Sequence, residues 1–190
     1  MPSDEILTAE QFAAGRHELP DGGRWTELVA GRPILFSPPT VEHGGAVLNL
    51  GKALAEYSHK GQGGYACFEL GLIVAREPDT VRFPAVSFFM AGPMFAESDK
   101  IITEIMPTLI VEVASSNDRR RGLEQRVGGW LNWGVPLVWA LDLHAKQVHV
   151  FEQGRAVLAL AEHDVLTGGS RLPGFKTGVK GLFQEPAWWK

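Results

Sequence analysis

An acidic side chain within an apolar strand is the first feature of this sequence that could carry out chemistry. The segment "TLIVEVASS" contains Glu112, and the alternation of a β-strand places it on the same face as Ile110 and Ala114. A carboxylate in that position is costly unless it is paired, hydrogen-bonded or bound to a metal ion. Glu27 and Glu69 lie in similar surroundings. Such acids indicate either a structural ion pair or a site that holds a cation.

A proline inside a run of strand-forming residues is the second feature. In "TVRFPAVSFF", Pro84 has no N–H to give to a ladder, so it marks a break, a bulge or the start of a strand. The next residue, Ala85, stands where a polar side chain would be useful, but its methyl group carries no polar atom. Since alanine is among the residues most often buried, core packing is the simplest interpretation of Ala85 from the residues alone.

The helix predicted over residues 118–133 places an arginine beside these strands. One face of this helix, continued by the residue after it, forms an apolar stripe that consists of Leu123, Val127, Trp130, Leu131 and Gly134. At about 100° per residue, Arg126 lies on the flank of that stripe, about 40° beyond Trp130. An arginine there can lie along the sheet and project past its edge. Gly128 and Gly129 weaken the helix, so we expect them to permit a close approach to the strands.

Length and composition predict one domain that spans residues 1–190. A chain of 190 residues with 45% hydrophobic content can bury one core, which we place at about residues 7–183, followed by a C-terminal tail at 184–190. The N-terminus lacks a signal-peptide pattern, and no apolar run approaches the ~18 residues of a membrane helix. One cysteine, Cys67, cannot form an internal disulfide. We therefore expect a cytoplasmic protein without a membrane partner.

The formal net charge of −4 argues against a surface that is basic as a whole. The one dense basic run is "DRRRG" at residues 118–122, which is most simply a solvated helix start. Trp188 and Trp189 in the tail would pack on the body of the protein or on a second copy, where they would form a candidate interface.

The order of elements predicts an α/β fold that borders on α+β. Thr8 and Gln11 form a capping box before a short helix that ends near Gly15. A hairpin turns at Ala30-Gly31, and an amphipathic helix follows over residues 43–60. The next segments predict strands: "YACFELGLIVA", "VSFFMAG", "LIVEVASS", "VPLVWALD", "QVHVFEQ" and "RAVLALAE". The prediction is a mixed sheet flanked by two main helices, with a β-rich C-terminal third.

The order of six sequence motifs indicates a family resemblance. The motifs are "TELVAGRPI", "SPPTVEHGGAV", "PDTVRFPAVSFF", "LIVEVASSND", "LEQRVGGWLNWGVPLVWALD" and "LPGF". With these motifs, the sequence resembles, over most of its length, a bacterial family of restriction-endonuclease-like proteins with a PD-(D/E)XK nuclease core. The resemblance implies a core with a helix, a three-stranded meander, a second helix and a further strand. It also implies hydrolysis of phosphodiester bonds in DNA with a divalent ion, Mg²⁺ or Mn²⁺.

The resemblance also assigns four site positions, two of which depart from the family pattern. Pro84 matches the proline of the motif, and Ala85 stands where the family has a metal-binding aspartate. Glu112 matches the second metal ligand, and Arg126 stands where the family has a lysine. Glu27 matches a glutamate of the N-terminal hairpin that belongs to the site.

These departures predict weak ion binding and impaired or lost catalysis. An alanine methyl contributes no ligand to Mg²⁺, which leaves Glu112 to hold the ion with carbonyl groups and water. An arginine does not give up its proton, so Arg126 cannot share the proton-handling role of a lysine. Glu69, or less favourably Asp79 or Glu77, would have to supply a substitute carboxylate.

Three functions remain open from the sequence. An active metal-dependent endonuclease needs three acids close to Glu112. A catalytically inactive DNA-binding protein needs the arginines of the basic run and Arg126 to face one groove. A scaffold or dimeric interaction protein on the same fold is favoured by the net negative charge. In each case without a metal, we expect Glu112 and Arg126 to form an ion pair beside Glu27 and Ala85.

Overall fold

A computed structural model describes residues 6–115 and 121–185 of the chain. Its helices are α1 (Ala9–Gly15), α2 (Val41–Tyr57), α3 (Leu123–Trp133) and α4 (Val179–Leu182). Its first strands are β1 (Thr26–Val29), β2 (Arg32–Leu35), β3 (Tyr65–Phe68), β4 (Gly71–Ala75), β5 (Thr80–Arg82), β6 (Val86–Phe89) and β7 (Ile102–Thr103). The remaining strands are β8 (Leu109–Ala114), β9 (Leu137–Asp142), β10 (Gln147–Glu152), β11 (Leu158–Leu160), β12 (Val165–Gly168) and β13 (Leu172–Gly178).

Six strands form the central sheet, in the order β11-β10-β9-β8-β6-β3. Strands β8 and β9 run parallel and the other neighbours run antiparallel, so the sheet is mixed. Helix α2 covers one face, where Leu50 and Leu54 pack with Phe88 and Trp139. Helix α3 covers the other face, where Trp130 packs in the core that includes Ile110. The predicted α/β class with helices on a mixed sheet is confirmed.

The chain follows the order that the family resemblance implies. Helix α2 is followed by β3, β6 and β8, which form an antiparallel meander, and then by α3 and by β9 parallel to β8. Strands β4, β5 and β7 interrupt the meander and belong to a second sheet. The segment "YACFELGLIVA" is therefore divided between two sheets at the turn around Glu69, whose φ of 53° reverses the chain.

The N-terminal sheet has five strands, in the order β2-β1-β5-β4-β7. Its first hairpin turns at Ala30 and Gly31, whose φ values of 49° and 74° are those that a type I′ turn requires. A separate core lies under this sheet and contains Phe12 of α1 with Leu28 and Val81. This sheet is not part of the single mixed sheet that the sequence predicts, and it places β1 beside the central sheet.

Local predictions hold at the start of the chain and fail within α3. The capping box of Thr8 and Gln11 is present, and α1 ends at Gly15 as expected. The expected close approach of Gly128 and Gly129 to the strands is wrong, because a Cβ atom at either position would meet nothing within 4 Å. The predicted helix start at residues 118–120 and the tryptophans at 188 and 189 lie outside the described residues. Among the described helices, none is long and apolar enough to cross a membrane.

Candidate functional site

Three of the four candidate residues meet in one buried cluster. Glu27 comes from β1 in the N-terminal sheet, Glu112 from β8 in the central sheet, and Arg126 from α3. Nη1 of Arg126 donates to both oxygens of Glu27, at 2.9 and 2.7 Å, and Nη2 donates to Oε1 of Glu112 at 3.0 Å. Glu27, Glu112 and Arg126 are each less than a tenth exposed. The expected ion pair between Glu112 and Arg126 is present, and it extends to Glu27.

Further hydrogen bonds fix both carboxylates. The indole N–H of Trp130 donates to Oε1 of Glu112 at 2.7 Å. Trp130 lies four residues after Arg126, so one face of α3 supplies both donors to Glu112. On the other side, Arg82 Nη1 and the backbone N–H of Phe83 each donate to Glu27 at 3.1 Å. These contacts satisfy the two carboxylates that burial would otherwise penalise, while Nε of Arg126 is buried without a hydrogen-bond partner.

The charges of the cluster cancel. Two carboxylates face the guanidinium groups of Arg126 and Arg82. Burial by itself would raise the pKa of Glu27, but its attraction to Arg126 and the hydrogen bonds that it accepts hold that pKa below the ordinary value. Burial would also lower the pKa of Arg126, yet the two carboxylates raise it above the usual arginine range. Glu27 and Arg126 are therefore both charged at neutral pH.

Ala85 lies next to this cluster and contributes no polar side-chain atom to it. Its backbone N–H donates to the carbonyl oxygen of Val111 at 3.0 Å, one residue before Glu112 on β8. The methyl group is partly buried and packs against the α2 core. Ala85, which the resemblance aligns with an aspartate, is thus adjacent to Glu112 just before β6, but it adds no charge.

A cleft of about 460 Å³ opens beside Ala85 and Glu27. Its walls come from the hairpin around Arg24 and Trp25, from the first turns of α2 and from the turn at Glu69. His43 of α2 lines the cleft, and its Nδ1 lies 3.2 Å from Oγ of Ser115. From the sequence alone, a histidine at the start of a helix is more simply a solvated or capping residue than part of a site. Its place at the cleft follows from the first turn of α2, which faces the hairpin.

The described residues do not fit a divalent metal ion. They contain no group of three or more His, Cys, Asp or Glu side chains that could hold one. Mg²⁺ requires near-octahedral oxygen coordination. The two nearby carboxylates are both engaged by Arg126, and Ala85 supplies no side-chain oxygen. The guanidinium group of Arg126 takes the position of a cation between the two acids.

The three substitute acids differ in their surroundings. Asp79 accepts a hydrogen bond from the N–H of Ala9 at 2.7 Å and pairs with Arg76 at 2.9 Å, so its contacts anchor α1. Glu77 precedes a cis peptide bond. Glu69 lines the cleft, but its side chain is 59% exposed and its nearest cationic group is 3.9 Å away. None of the three belongs to the described cluster around Glu112.

Sequence reasoning missed Arg82 and the backbone of Phe83, and it treated Trp130 as a purely apolar residue. The spacing of Arg126 and Trp130 was the available signal, because residues four apart share a helix face. Arg82 alternates with the buried Val81 on β5, which indicates that the arginine faces away from that core. Its contact with Glu27 depends on the pairing of β1 with β5, which no local pattern specifies.

Comparisons with known proteins agree with the fold. The family model described as "Putative restriction endonuclease" (Uma2) matches residues 13–180. A crystal structure from Anabaena variabilis, titled as a putative nuclease belonging to DUF820, has a TM-score of 0.74 to this chain at 18% sequence identity. The match covers 93% of this chain and 97% of that one, and at this identity it supports the fold alone. No curated protein matches the chain.

Proposed function

Because the chain belongs to this restriction-endonuclease-like family, we propose that it is a member which has lost metal-dependent hydrolysis and serves as a binding or assembly protein on the nuclease fold. One observation carries the proposal: Arg126 donates to Glu27 and to Glu112 at once, beside an alanine. Proteins of this fold family are typically metal-dependent, and the proposal concerns what this chain's residues do instead.

The internal cation competes directly with an external one. A divalent ion would have to displace the guanidinium group from both carboxylates, and breaking a buried ion pair costs about 3–5 kcal/mol. The new ion would then gain no oxygen from Ala85. With the charges of the cluster already balanced, no net negative charge attracts the ion to the site. We therefore propose that Mg²⁺ and Mn²⁺ bind weakly or not at all.

Proton handling is impaired for a separate reason. The pKa of Arg126 is raised by the two carboxylates, so the guanidinium group keeps its proton throughout the working range of a nuclease. It can stabilise negative charge but cannot act as a general base. Loss of activity thus follows from Arg126 even if a metal ion were supplied elsewhere in the cleft.

A cleavage assay tests the proposal. We expect the purified protein with Mg²⁺ or Mn²⁺ to cut plasmid and single-stranded DNA no faster than a buffer blank. The matched control is Glu112→Gln, which removes the candidate ligand and should leave the rate at the same background. Cleavage by the parent that disappears in Glu112→Gln would overturn the proposal and direct attention to Glu69.

A second candidate function, nucleic-acid binding without cleavage, is supported by the cleft. The guanidinium carbon of Arg24 lies 5.9 Å from the ring centroid of Trp25, and both side chains line the cleft, where an aromatic ring can stack on a base. Arg126 is buried and engaged, so it does not meet the condition that it face a DNA-binding groove. Of the basic run, Arg121 is described and exposed, while Arg119 and Arg120 lie outside the described residues.

Salt dependence distinguishes this candidate. If the cleft binds single-stranded DNA, fluorescence anisotropy should show binding that weakens with salt and that falls further in Arg24→Gln. Arg155→Gln, an exposed arginine far along the chain, is the control. Equal binding by the parent and Arg24→Gln would exclude the cleft as the DNA-binding site.

A single domain, a cytoplasmic location and a homodimeric state remain predictions of the sequence and belong to the same proposal.

A further inference from the structure

The outer edge of the central sheet is open on one side. Strand β3 is the last strand of the sheet and pairs with β6, from Tyr65 opposite Phe89 to Phe68 opposite Val86. Within the described part of the chain, the backbone of β3 makes no backbone hydrogen bond to a strand other than β6, while the side chains of Tyr65 and Cys67 contact the segment 95–98. An unpaired strand edge presents a row of N–H and C=O groups that another strand can complete.

A groove of about 270 Å³ follows this open edge, and we call it the edge groove. Ala55 of α2 and Ser58, which follows that helix, form one wall, Phe95 forms the other, and Gly64 and Ala66 lie between them. A second apolar groove continues along α2 from the same residues. The exposed side chains around these grooves are large and apolar: Leu48, Phe68, Met94 and Phe95 are 37%, 50%, 54% and 62% exposed.

We propose that a second copy of this chain docks here, with β3 of each copy pairing antiparallel around a two-fold axis. Residues that face each other across an antiparallel pair point to the same face of the sheet. Ala66 and Phe68 both face α2, because Ala66 packs in that core and the Phe68 ring lies against Gly51. The two-fold axis therefore lies between one residue of β3 and the same residue of the second copy. Of the β3 residues that face α2, Ala66 is the more central, so we place the axis at Ala66.

This register makes the interface self-complementary. With Ala66 opposite Ala66 of the second copy, Phe68 of each copy lies opposite Gly64 of the other. Gly64 lines the edge groove, so each half-exposed Phe68 ring enters the groove of the other copy. Such reciprocal contacts are the defining property of a two-fold interface.

The helices on the same face meet at the same axis. A Cβ atom on Gly51 would lie 3.1 Å from the ring of Phe68, which fixes the position of α2 above β3. The distance along β3 from Phe68 to Ala66 is about 6.6 Å, and roughly four residues of α-helix cover the same distance. Four residues after Gly51 on α2 is Ala55. The axis thus passes near Ala55. Its small, exposed side chain allows the two α2 helices to approach within about 8–10 Å.

The exposed apolar side chains supply about half of the area that an ordinary dimer interface buries. The four exposed side chains offer about 400 Å² per copy, if a fully buried aromatic or long apolar side chain contributes about 200 Å². A standard interface buries about 800 Å² per partner, and the backbone edge of β3 with the outer face of α2 adds to the side chains. The inference gives an interface to the homodimeric state in the proposed function, and it does not depend on whether the protein cleaves DNA.

Sedimentation velocity tests the inference on the full chain, from about 1 to about 200 µM, a range that brackets a micromolar Kd. We expect a concentration-dependent species of twice 20.8 kDa. Ala55→Arg places two guanidinium groups at the axis, and Phe68→Lys removes the inserted ring. Each should weaken dimerisation by at least about tenfold. Val165→Lys, which replaces a 54% exposed valine on β12, is the matched control and should leave it unchanged.

Two further measurements separate loss of folding from loss of dimerisation. Circular dichroism establishes that the variants fold, and Phe68→Lys alters an exposed position, so it serves if Ala55→Arg does not fold. In the parent dimer, amide hydrogen exchange of Ala66 and its neighbours should slow as concentration rises. A parent that stays monomeric at the highest concentration, or a dimer that neither variant weakens, would overturn the inference. The second outcome would place the interface on another face.

Discussion

Replacing Arg126 by methionine should test how the buried cluster contributes to stability. The change keeps a long side chain but removes the cation that joins Glu27 to Glu112. Glu27 would retain Arg82 and the N–H of Phe83, and Glu112 would retain the indole of Trp130. Because two buried carboxylates lose their shared partner, we expect a loss of about 3–5 kcal/mol in the free energy of unfolding at pH 7.

The stability difference between the parent and Arg126→Met should depend on pH in a defined direction. In the parent, the pKa of Glu27 is lowered, so its contribution to stability is complete above the ordinary carboxyl pKa of about 4.3 and is lost as the pH falls through the lower folded-state value. In Arg126→Met, burial without that cation should raise the carboxyl pKa of Glu27. The penalty is then largest near neutral pH and shrinks as protonation neutralises the acids. The difference between parent and variant should narrow from pH 7 towards pH 4.5.

Urea unfolding at both pH values measures these differences. For a chain of this size, each kcal/mol also corresponds to about 2–4 °C in Tm. Arg82→Met is the matched control, since its side chain is 23% exposed and contacts Glu27 alone in the cluster. We expect it to lose about 1 kcal/mol. An Arg126→Met variant as stable as the parent at pH 7 would refute the reasoning, as would a gap that widens on acidification.

Two further predictions concern the contacts around the cluster and the first helix. Trp130→Phe removes the N–H that Glu112 accepts, so it should lower the free energy of unfolding by about 1–3 kcal/mol in urea, whereas Trp133→Phe on the same helix should change it little. Asp79→Asn weakens the contacts with Ala9 and Arg76, so α1 amides should exchange faster by about tenfold, while unchanged exchange would show that Asp79 does not anchor α1.

Many of the individual elements could be predicted because their signals are local or follow the family motifs. The capping box at Thr8 and the hairpin at Ala30 depend on residues a few positions apart. The pairing of Glu112 with Arg126 could be anticipated because a buried carboxylate needs a cation and α3 carries one on the flank of its apolar stripe. These predictions required no knowledge of how distant strands pair.

The rest of the site depends on contacts between distant segments. Glu27 reaches Arg126 because β1 pairs with β5 in a separate sheet, which the sequence did not predict. The same pairing brings Arg82 to Glu27 across 55 positions of sequence. The expected role of Gly128 failed because glycine weakens a helix whatever lies beside it, so its presence does not reveal a close neighbour.

Binding of Mn²⁺ to the parent protein tests the central claim most directly. Thermal melts with and without about 1 mM Mn²⁺ would be compared for the parent, for Glu112→Gln and for the double variant Ala85→Asp with Arg126→Lys. An ion present at 100 times its Kd stabilises a protein by about 2.7 kcal/mol, which is readily measured. We predict no Mn²⁺-dependent rise in Tm for the parent and a rise for the double variant, which regains the carboxylate and loses the bidentate guanidinium group. A rise in the parent that Glu112→Gln abolishes would contradict the claim that Arg126 has replaced the metal ion.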